Sequence, residues 1–156
     1  MHVTLPLNFR DMTRADIATM AWSGGKSHLS NMHMQLSRAA EGKAEYLVAC
    51  PPSDLPVGKC GIDYQTDDGT GMIWQVAVHP ALQSLGIGTA LIAHAEQRIR
   101  ARGVEAARLS VENDNPRARK LYDRLGYVAR YETADSWMTD EGCYETVCTV
   151  MFKPLR

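Results

Sequence analysis

The chain has 156 residues and a mass of 17.3 kDa, and no repeat or linker divides it, so we expect a single domain over residues 1–156. Its 17 basic and 18 acidic residues give a formal net charge of −1, which excludes a broad electrostatic grip on nucleic acid. No segment approaches the ~20 apolar residues of a membrane span, so we expect a cytoplasmic protein with neither a nucleic-acid nor a membrane partner.

The first half of the chain predicts a strand, two helices and a three-stranded meander. The first strand is expected over Val3–Asn8, and Thr13 and Asp16 have capping-box spacing for a helix over Arg14–Trp22. The stretch SGGKS interrupts this pattern before a second helix over His28–Ala40. Apolar runs bounded by the turns PPSDLP and TDDGTG then predict three strands, at Glu45–Cys50, Val57–Gln65 and Met72–Val78.

The second half alternates helices and strands. Apolar residues at helical period follow the stretch QSLGIG, and Gly103 ends that helix. The remaining elements are a strand at Ala107–Glu112, a helix at Pro116–Leu125 and two strands at Tyr127–Glu132 and Tyr144–Phe152. The predicted order is therefore βααβββαβαββ.

The stretch QSLGIG, residues 83–88, joins a strand to a helix N-terminus, which is a ready anion site because first-turn amides are unpaired and glycine lets a phosphate approach. A Walker loop does not fit, because the GKS at residues 25–27 has Met20 where the first glycine should be. A dinucleotide fingerprint does not fit either, because Leu91 occupies its third glycine position. The plain alternative is that the glycines only permit a tight connection.

Two motifs together identify a family resemblance. The strand end VAVHP precedes QSLGIG, which has the form [Q/R]-x-x-G-x-[G/A], and about 25 residues later comes NPRARKLY with Gly126 and Tyr127 beyond. This pattern closely resembles the GCN5-related N-acetyltransferase (GNAT) family, whose second motif is N-x-x-A-x-x-L-Y-x-x-x-G-[FY]. The resemblance is densest over residues 73–127.

The resemblance implies an α/β (α+β) fold, with a mixed, largely antiparallel twisted sheet flanked by helices, and acetyl-coenzyme A as the cofactor. Its pyrophosphate would lie on the amides of residues 85–89. Its pantetheine would run along residues 76–78, in a gap between the strands Ile73–Val78 and Ala107–Glu112. The implied cofactor contacts are Val76, Ala77, Val78, Gln83, Ser84, Leu85, Gly86, Ile87, Gly88, Thr89, Asn115 and Tyr122.

Acetyl transfer needs a neutral amine and a proton for the departing thiolate. By the resemblance, Tyr122 is the general acid, and a backbone amide at Val76 or Val78 would stabilise the developing oxyanion. Asn115 is expected to cap the helix that Pro116 begins, whether or not it also touches the cofactor.

The general base is less defined. Some family members place a glutamate on the strand that here carries Met72, Trp74 and Gln75, none of which is a useful base. Glu112 is the candidate, passing a proton through water, and Asp63 is a second carboxylate with the same possibility. His79, at the junction of strand and loop, is not expected to be catalytic.

The acceptor is expected to be a primary amine of a small molecule or peptide, bound between residues 22–28 and residues 131–141. That second segment, with Glu145 just after it, carries five carboxylates and no lysine or arginine. It is either a solvated loop or a rim that attracts a cationic amine, with Trp22, Trp137 and Asp135 as the candidate contacts. A non-catalytic acyl-coenzyme A sensor is the alternative function, and the family's habits suggest a possible homodimer.

No metal is implied. The four cysteines include no C-x-x-C pair, and three of them lie in apolar, strand-like runs, so we expect them to be reduced. His28 and His33 are five residues apart and do not share a helix face as i,i+4 ligands would.

Overall fold

The computed structural model describes residue 2 and residues 4–156. Within these residues the main elements follow the predicted order βααβββαβαββ. The strands are β1 (Asn8–Asp11), β2 (Ala44–Cys50), β3 (Gly58–Asp63), β4 (Gly71–Val78), β5 (Ala106–Glu112), β6 (Val128–Thr139) and β7 (Gly142–Pro154). The helices are α1 (Arg14–Ile17), α2 (Lys26–Ala40), α3 (Ile87–Ala101) and α4 (Pro116–Arg124), with short 3-10 turns at Ala21–Ser23 and Pro80–Leu82.

The first strand differs from its prediction because of its pairing partner. Val3 lies outside the described residues, and residues 4–7 belong to no strand. β1 starts at Asn8, which pairs with Cys50, the last residue of β2 before two prolines. Since proline cannot donate to a ladder, β2 offers the preceding residues no partner.

The helix predicted over Arg14–Trp22 is also shorter than expected. It has one turn, ending at Ile17, and the Thr19 hydroxyl donates to the Asp16 carbonyl at 2.7 Å. Such a local hydrogen bond competes with helix propagation. The capping interaction was predicted correctly, since the Asp16 carboxylate accepts from the Thr13 backbone N–H at 2.7 Å.

The segment expected to connect the last two strands is itself mostly strand. β6 continues to Thr139 and pairs antiparallel with β7 down to the pair Thr139↔Gly142, so only a tight turn remains. Its polar, exposed residues concealed the strand, because neither face of this hairpin is covered by a helix along most of its length.

The seven strands form one mixed sheet in the order β1-β2-β3-β4-β5-β7-β6. Only β4 and β5 are parallel neighbours, and the other pairs are antiparallel. The larger core cluster covers one face, where α3 packs with residues such as Leu91, Ile92 and Leu109. A smaller cluster around Met20, Met32 and Tyr46 covers the other face beneath α1 and α2.

Candidate active site

A gap opens between β4 and β5 in the middle of the sheet. The two strands pair only at Gly71↔Ala107 and Met72↔Arg108, although β4 runs on to Val78 and β5 to Glu112. The predicted separation of these strands is therefore present. Backbone groups along two facing strand edges need hydrogen-bond partners, so the gap suits an extended ligand that carries amides.

A β-bulge lies on β4 beside this gap. Lys59 pairs with Ala77 and Gly61 pairs with Trp74, so Gln75 and Val76 together oppose the single residue between Lys59 and Gly61. Gln75 has a φ of 52°, a left-handed conformation that costs a non-glycine residue roughly 1 kcal/mol or more. Such bulges bend a strand and redirect its peptides, and this one lies where β4 has left β5.

The turn QSLGIG stands at the end of β4, where α3 begins. Ser84 and Gly86 both have positive φ values, 66° and 86°, and Gly86 is the N-cap of α3. A Cβ added to Gly88 would meet only Leu121 and Val78, at 3.8 and 4.0 Å. A Cβ added to Gly86 would meet nothing within 4 Å, so the two glycines leave room beside the first turn of α3, as an anion site requires.

Arg117 adds positive charge beside this turn. Its guanidinium, on the first turn of α4, donates to the Ser84 hydroxyl. The sequence did not single out this arginine, because the motif N-x-x-A-x-x-L-Y specifies no residue type at its position. The predicted helix cap is present, since Asn115 Oδ1 accepts from the backbone N–H of Ala118 at 3.1 Å. A cofactor contact by Asn115 stays a prediction.

Tyr122 lies on α4 and is 9% exposed in the larger core cluster. Its ring meets Tyr127 edge-on, with centroids 6.3 Å apart. Burial raises the pKa of its hydroxyl, so Tyr122 is fully protonated at neutral pH. No other described residue hydrogen-bonds to that hydroxyl, whereas the Tyr127 hydroxyl donates to Glu96 at 2.8 Å.

Glu112, the candidate base, lies on the opposite face of the sheet. Leu109 and Val111 of β5 point into the core with α3, so the alternating residue Glu112 points to the other side. Its carboxylate accepts from the Tyr144 hydroxyl of β7 at 2.7 Å. Tyr122 and Glu112 thus lie on opposite faces of the sheet.

The two other base candidates are engaged elsewhere. The Asp63 carboxylate accepts two hydrogen bonds from Arg38, at 2.9 and 3.1 Å, which holds it in an ion pair. His79 Nδ1 accepts from the backbone N–H of Ala81 at 3.1 Å and caps the 3-10 turn there. Neither side chain is a free base in this arrangement.

The predicted acceptor residues fall into two groups. The ring of Trp22 lies 5.6 Å from that of His79, which follows the last residue of β4, so Trp22 stands near the end of the gap. Trp137 packs on Tyr144 with ring centroids 5.0 Å apart, and Tyr144 in turn contacts Glu112. Asp135 lies on β6, on the same face as Trp137, and accepts from the Ser136 N–H at 2.8 Å.

The β6–β7 turn closes onto α2. Asp140 accepts from the backbone N–H groups of Lys26 and Ser27, at 3.0 and 2.9 Å. These hydrogen bonds, that of Ser27 first, lower the pKa of the Asp140 carboxyl. The N-terminus of α2, which begins within SGGKS, therefore binds a carboxylate of the chain itself. Asp140, one of the five acidic residues counted in and just after residues 131–141, thus serves as a helix cap.

Lys59 is a buried cation next to the bulge. It is 1% exposed, and its ammonium donates to the Gln75 carbonyl at 3.0 Å. Burial lowers the pKa of Lys59 to about 8. Burial and the charge of Lys59 together lower the pKa of His28 to about 4, so that this imidazole is neutral. His28 lies in the segment 22–28 that was predicted to border the acceptor, whereas Lys59 was not predicted as part of the site.

Two features bear on cofactors and membranes. Over residue 2 and residues 4–156, no group of three or more histidine, cysteine or carboxylate side chains is arranged to hold a metal ion. No helix in the same residues combines the length and apolar character needed to cross a bilayer.

A family model and several known proteins match this chain. The model of the Acetyltransferase (GNAT) family matches residues 13–127. A mycothiol acetyltransferase from Beutenbergia cavernae is 44% identical over 62 residues, which are 40% of this chain and 21% of that protein. One from Saccharopolyspora erythraea is 41% identical over 66 residues, 42% of this chain and 22% of that protein. The match thus spans about a fifth of the length of these relatives.

Solved structures match nearly the whole chain at low identity. A chimera of the spermidine N-acetyltransferase SpeG from Vibrio cholerae and hSSAT has a TM-score of 0.78 and 14% identity, covering 96% of this chain and 95% of its own. A putative acyl-CoA N-acyltransferase from Klebsiella pneumoniae has a TM-score of 0.69 and 22% identity, covering 96% of this chain and 98% of its own. These similarities establish the fold.

Proposed function

The chain belongs to the acetyltransferase (GNAT) family, and on this premise we propose that it transfers an acetyl group from acetyl-coenzyme A to a primary amine of a small molecule or peptide. The observation that carries the proposal is the gap between β4 and β5, which opens toward the glycine turn at the start of α3.

The residues present fit acetyl-coenzyme A. The edges of β4 at Val76, Ala77 and Val78 would hydrogen-bond to the pantetheine amides. The amides of residues 85–89 would hold the pyrophosphate, with Arg117 adding charge beside Ser84. The remaining predicted contacts are Gln83, whose side-chain amide donates to the Val78 carbonyl, Asn115, which caps α4, and Tyr122. When bound, the cofactor supplies an acetyl thioester.

In the proposed reaction a bond forms between the amine nitrogen and the acetyl carbon, and the carbon–sulfur bond breaks. An acceptor bound as an ammonium first releases one proton to solvent. The neutral amine then attacks, its nitrogen loses the second proton to Glu112, directly or through water, and Tyr122 gives a proton to the thiolate. Solvent then reprotonates Tyr122 and removes the proton from Glu112. The raised pKa of Tyr122 keeps the acid protonated until the thiolate appears.

The acceptor would approach from the face that carries Glu112, Tyr144 and Trp137. Two exposed rings and nearby carboxylates suit a protonated amine before it loses its proton. Two of the similar proteins are named as a mycothiol acetyltransferase and a spermidine N-acetyltransferase, and both names refer to a small molecule rather than to a protein. We propose a small cationic amine as the first acceptor to test.

The test is an acetyl-coenzyme A screen that follows thiol release with polyamines, aminoglycosides, amino acids and peptide N-termini. Tyr122→Phe should lower kcat on the order of 10²-fold and leave cofactor affinity nearly unchanged, because the ring remains. Tyr127→Phe is the matched control, since it removes a buried hydroxyl next to Tyr122 that hydrogen-bonds to Glu96 instead.

Turnover that survives unchanged in Tyr122→Phe would remove the tyrosine from the acid role. Tight cofactor binding without thiol release for any amine would support the sensor alternative. Failure to bind acetyl-coenzyme A would contradict the proposed function.

A further inference from the structure

The peptide between Gln75 and Val76 is held from one side by a buried cation. Lys59 reaches across from β3, and its ammonium donates to the Gln75 carbonyl at 3.0 Å. At 1% exposure the side chain has almost no contact with solvent, and among the described residues no carboxylate pairs with it. A buried ammonium without a carboxylate partner costs folding free energy. We therefore asked what its hydrogen bond to the Gln75 carbonyl contributes.

The residue that carries the carbonyl is fixed by two further elements. The Tyr46 hydroxyl of β2 donates to the Gln75 side-chain oxygen at 2.8 Å, and the Gln75 amide donates to Asn31 of α2 at 3.1 Å. Three hydrogen bonds from three elements thus hold a non-glycine residue at a φ of 52°. This support maintains the bulge at one defined position beside the gap.

The geometry of a trans peptide connects Lys59 to the next amide. The described residues contain no cis peptide bond, and in a trans peptide the C=O and the following N–H point in opposite directions. The N–H of Val76 therefore points away from Lys59. A cationic donor on the carbonyl also polarises the peptide and makes that N–H a stronger donor.

We propose that Lys59 is a positioning residue for acetyl transfer, which acts through the Gln75–Val76 peptide to aim and strengthen the Val76 N–H as a donor to the acetyl carbonyl oxygen. This inference rests on the proposed function and adds to it a residue on the far side of β4. A donor aimed at the oxygen that gains charge in the transition state accelerates the reaction. Burial lowers the pKa of Lys59 to about 8, so most of the ammonium is still charged at pH 7.

The experiment compares coenzyme A with acetyl-coenzyme A, because only the second carries the carbonyl. Calorimetry gives the Kd of both ligands for the wild type, Lys59→Met and Lys59→Gln, and steady-state assays give kcat and KM. Tyr64→Phe is the matched control, since it removes a part-buried hydrogen bond, to Glu45, that involves neither Gln75 nor Lys59.

For Lys59→Met we expect a coenzyme A affinity within twofold of the wild type, a loss of any preference for acetyl-coenzyme A, and a kcat about tenfold lower. Lys59→Gln, which keeps an N–H donor without the charge, should recover part of kcat. Tyr64→Phe should change neither the affinity ratio of the two ligands nor kcat by more than threefold. A merely structural role of Lys59 would instead weaken both ligands together.

Folded Lys59 variants that keep the wild-type ligand preference and kcat would overturn this inference and leave the proposed function standing. If neither variant folds, NMR of the wild type with acetyl-coenzyme A decides: a Val76 amide signal that moves as Lys59 titrates near pH 8 supports the inference, and a signal that stays fixed through that titration overturns it. A wild type that binds neither ligand would overturn the proposed function and the inference together.

Discussion

At the scale of single residues, Lys59 makes stability depend on pH. The ordinary lysine pKa is 10.5, and burial lowers that of Lys59 to about 8 in the folded chain. Between these values the unfolded chain binds more protons than the folded chain, so the contribution of Lys59 to stability rises as pH rises through this window. Below pH 8 the buried charge is a cost.

Raising the pH from 7 to 10 should therefore increase the unfolding free energy of the wild type relative to Lys59→Met by roughly 2 kcal/mol. Denaturant unfolding of both proteins at several pH values measures this difference. The exposed Lys120→Met is the control and should show no such pH dependence relative to the wild type. A constant difference between the wild type and Lys59→Met would show that Lys59 does not titrate in this range.

Some site residues were predictable one by one, and others were not. Tyr122 and the glycines of QSLGIG belong to local motifs whose spacing is visible in the chain. Lys59 lies in the apolar run VGKCGID, where an isolated lysine gives no sign that it points inward. Its burial follows from the pairing of β3 with β4 and from the cover of α2, which only the tertiary structure provides.

At the scale of elements, the turn before α3 has a matched counterpart after it. Gly86 and Gly103 both have left-handed φ values, 86° and 82°, and a Cβ added to either would meet nothing within 4 Å. Valine at either position should therefore cost similar stability through backbone strain. Only Gly86 lies where the phosphates are proposed to bind.

Gly86→Val should weaken acetyl-coenzyme A binding by more than tenfold, or about 1.4 kcal/mol, while Gly103→Val should leave it unchanged. Calorimetry on folded variants makes the comparison. Gly88→Ala adds a test with little strain, since its new Cβ has only ordinary contacts. Equal affinities for the Gly86 and Gly103 variants would place the phosphates elsewhere.

The contact between the β6–β7 turn and α2 gives a second prediction at this scale. Asp140→Ala should lower stability and speed amide hydrogen exchange over residues 136–144 several-fold, because the first-turn amides of α2 lose their acceptor. Its effect should disappear as the pH falls, since the pKa of Asp140 is lowered in the folded chain and the carboxylate protonates in acid.

Glu141→Ala is the control for that experiment, because the neighbouring side chain is exposed and makes no hydrogen bond to α2. Equal exchange in both variants would mean that the cap does not hold the hairpin. This contact was not predictable from the sequence, since Asp140 and Ser27 are separated by 113 positions in the chain.

At the scale of the whole molecule, the hydrophobic periodicity of the sequence predicted the order of helices and strands. The ends of the strands, in contrast, depend on the neighbouring strands with which they pair. β1 starts where β2 can pair with it, and β6 extends to Thr139 because β7 accompanies it. The gap between β4 and β5 was expected only from the family resemblance. No property of either strand's own sequence reveals that their pairing stops at Met72 and Arg108.

Tyr122 and Glu112 lie on opposite faces of the sheet, and the proposed reaction needs both of them at the gap between β4 and β5. A crystal structure of the protein with acetyl-coenzyme A tests this arrangement most directly. It should show pantetheine between residues 73–78 and β5, the pyrophosphate on the amides of residues 85–89, and the thioester between the Tyr122 hydroxyl and the Val76 N–H. Two results would contradict this arrangement. One is acetyl-coenzyme A bound elsewhere while the gap between β4 and β5 stays empty, and the other is pairing of β4 with β5 along their full length.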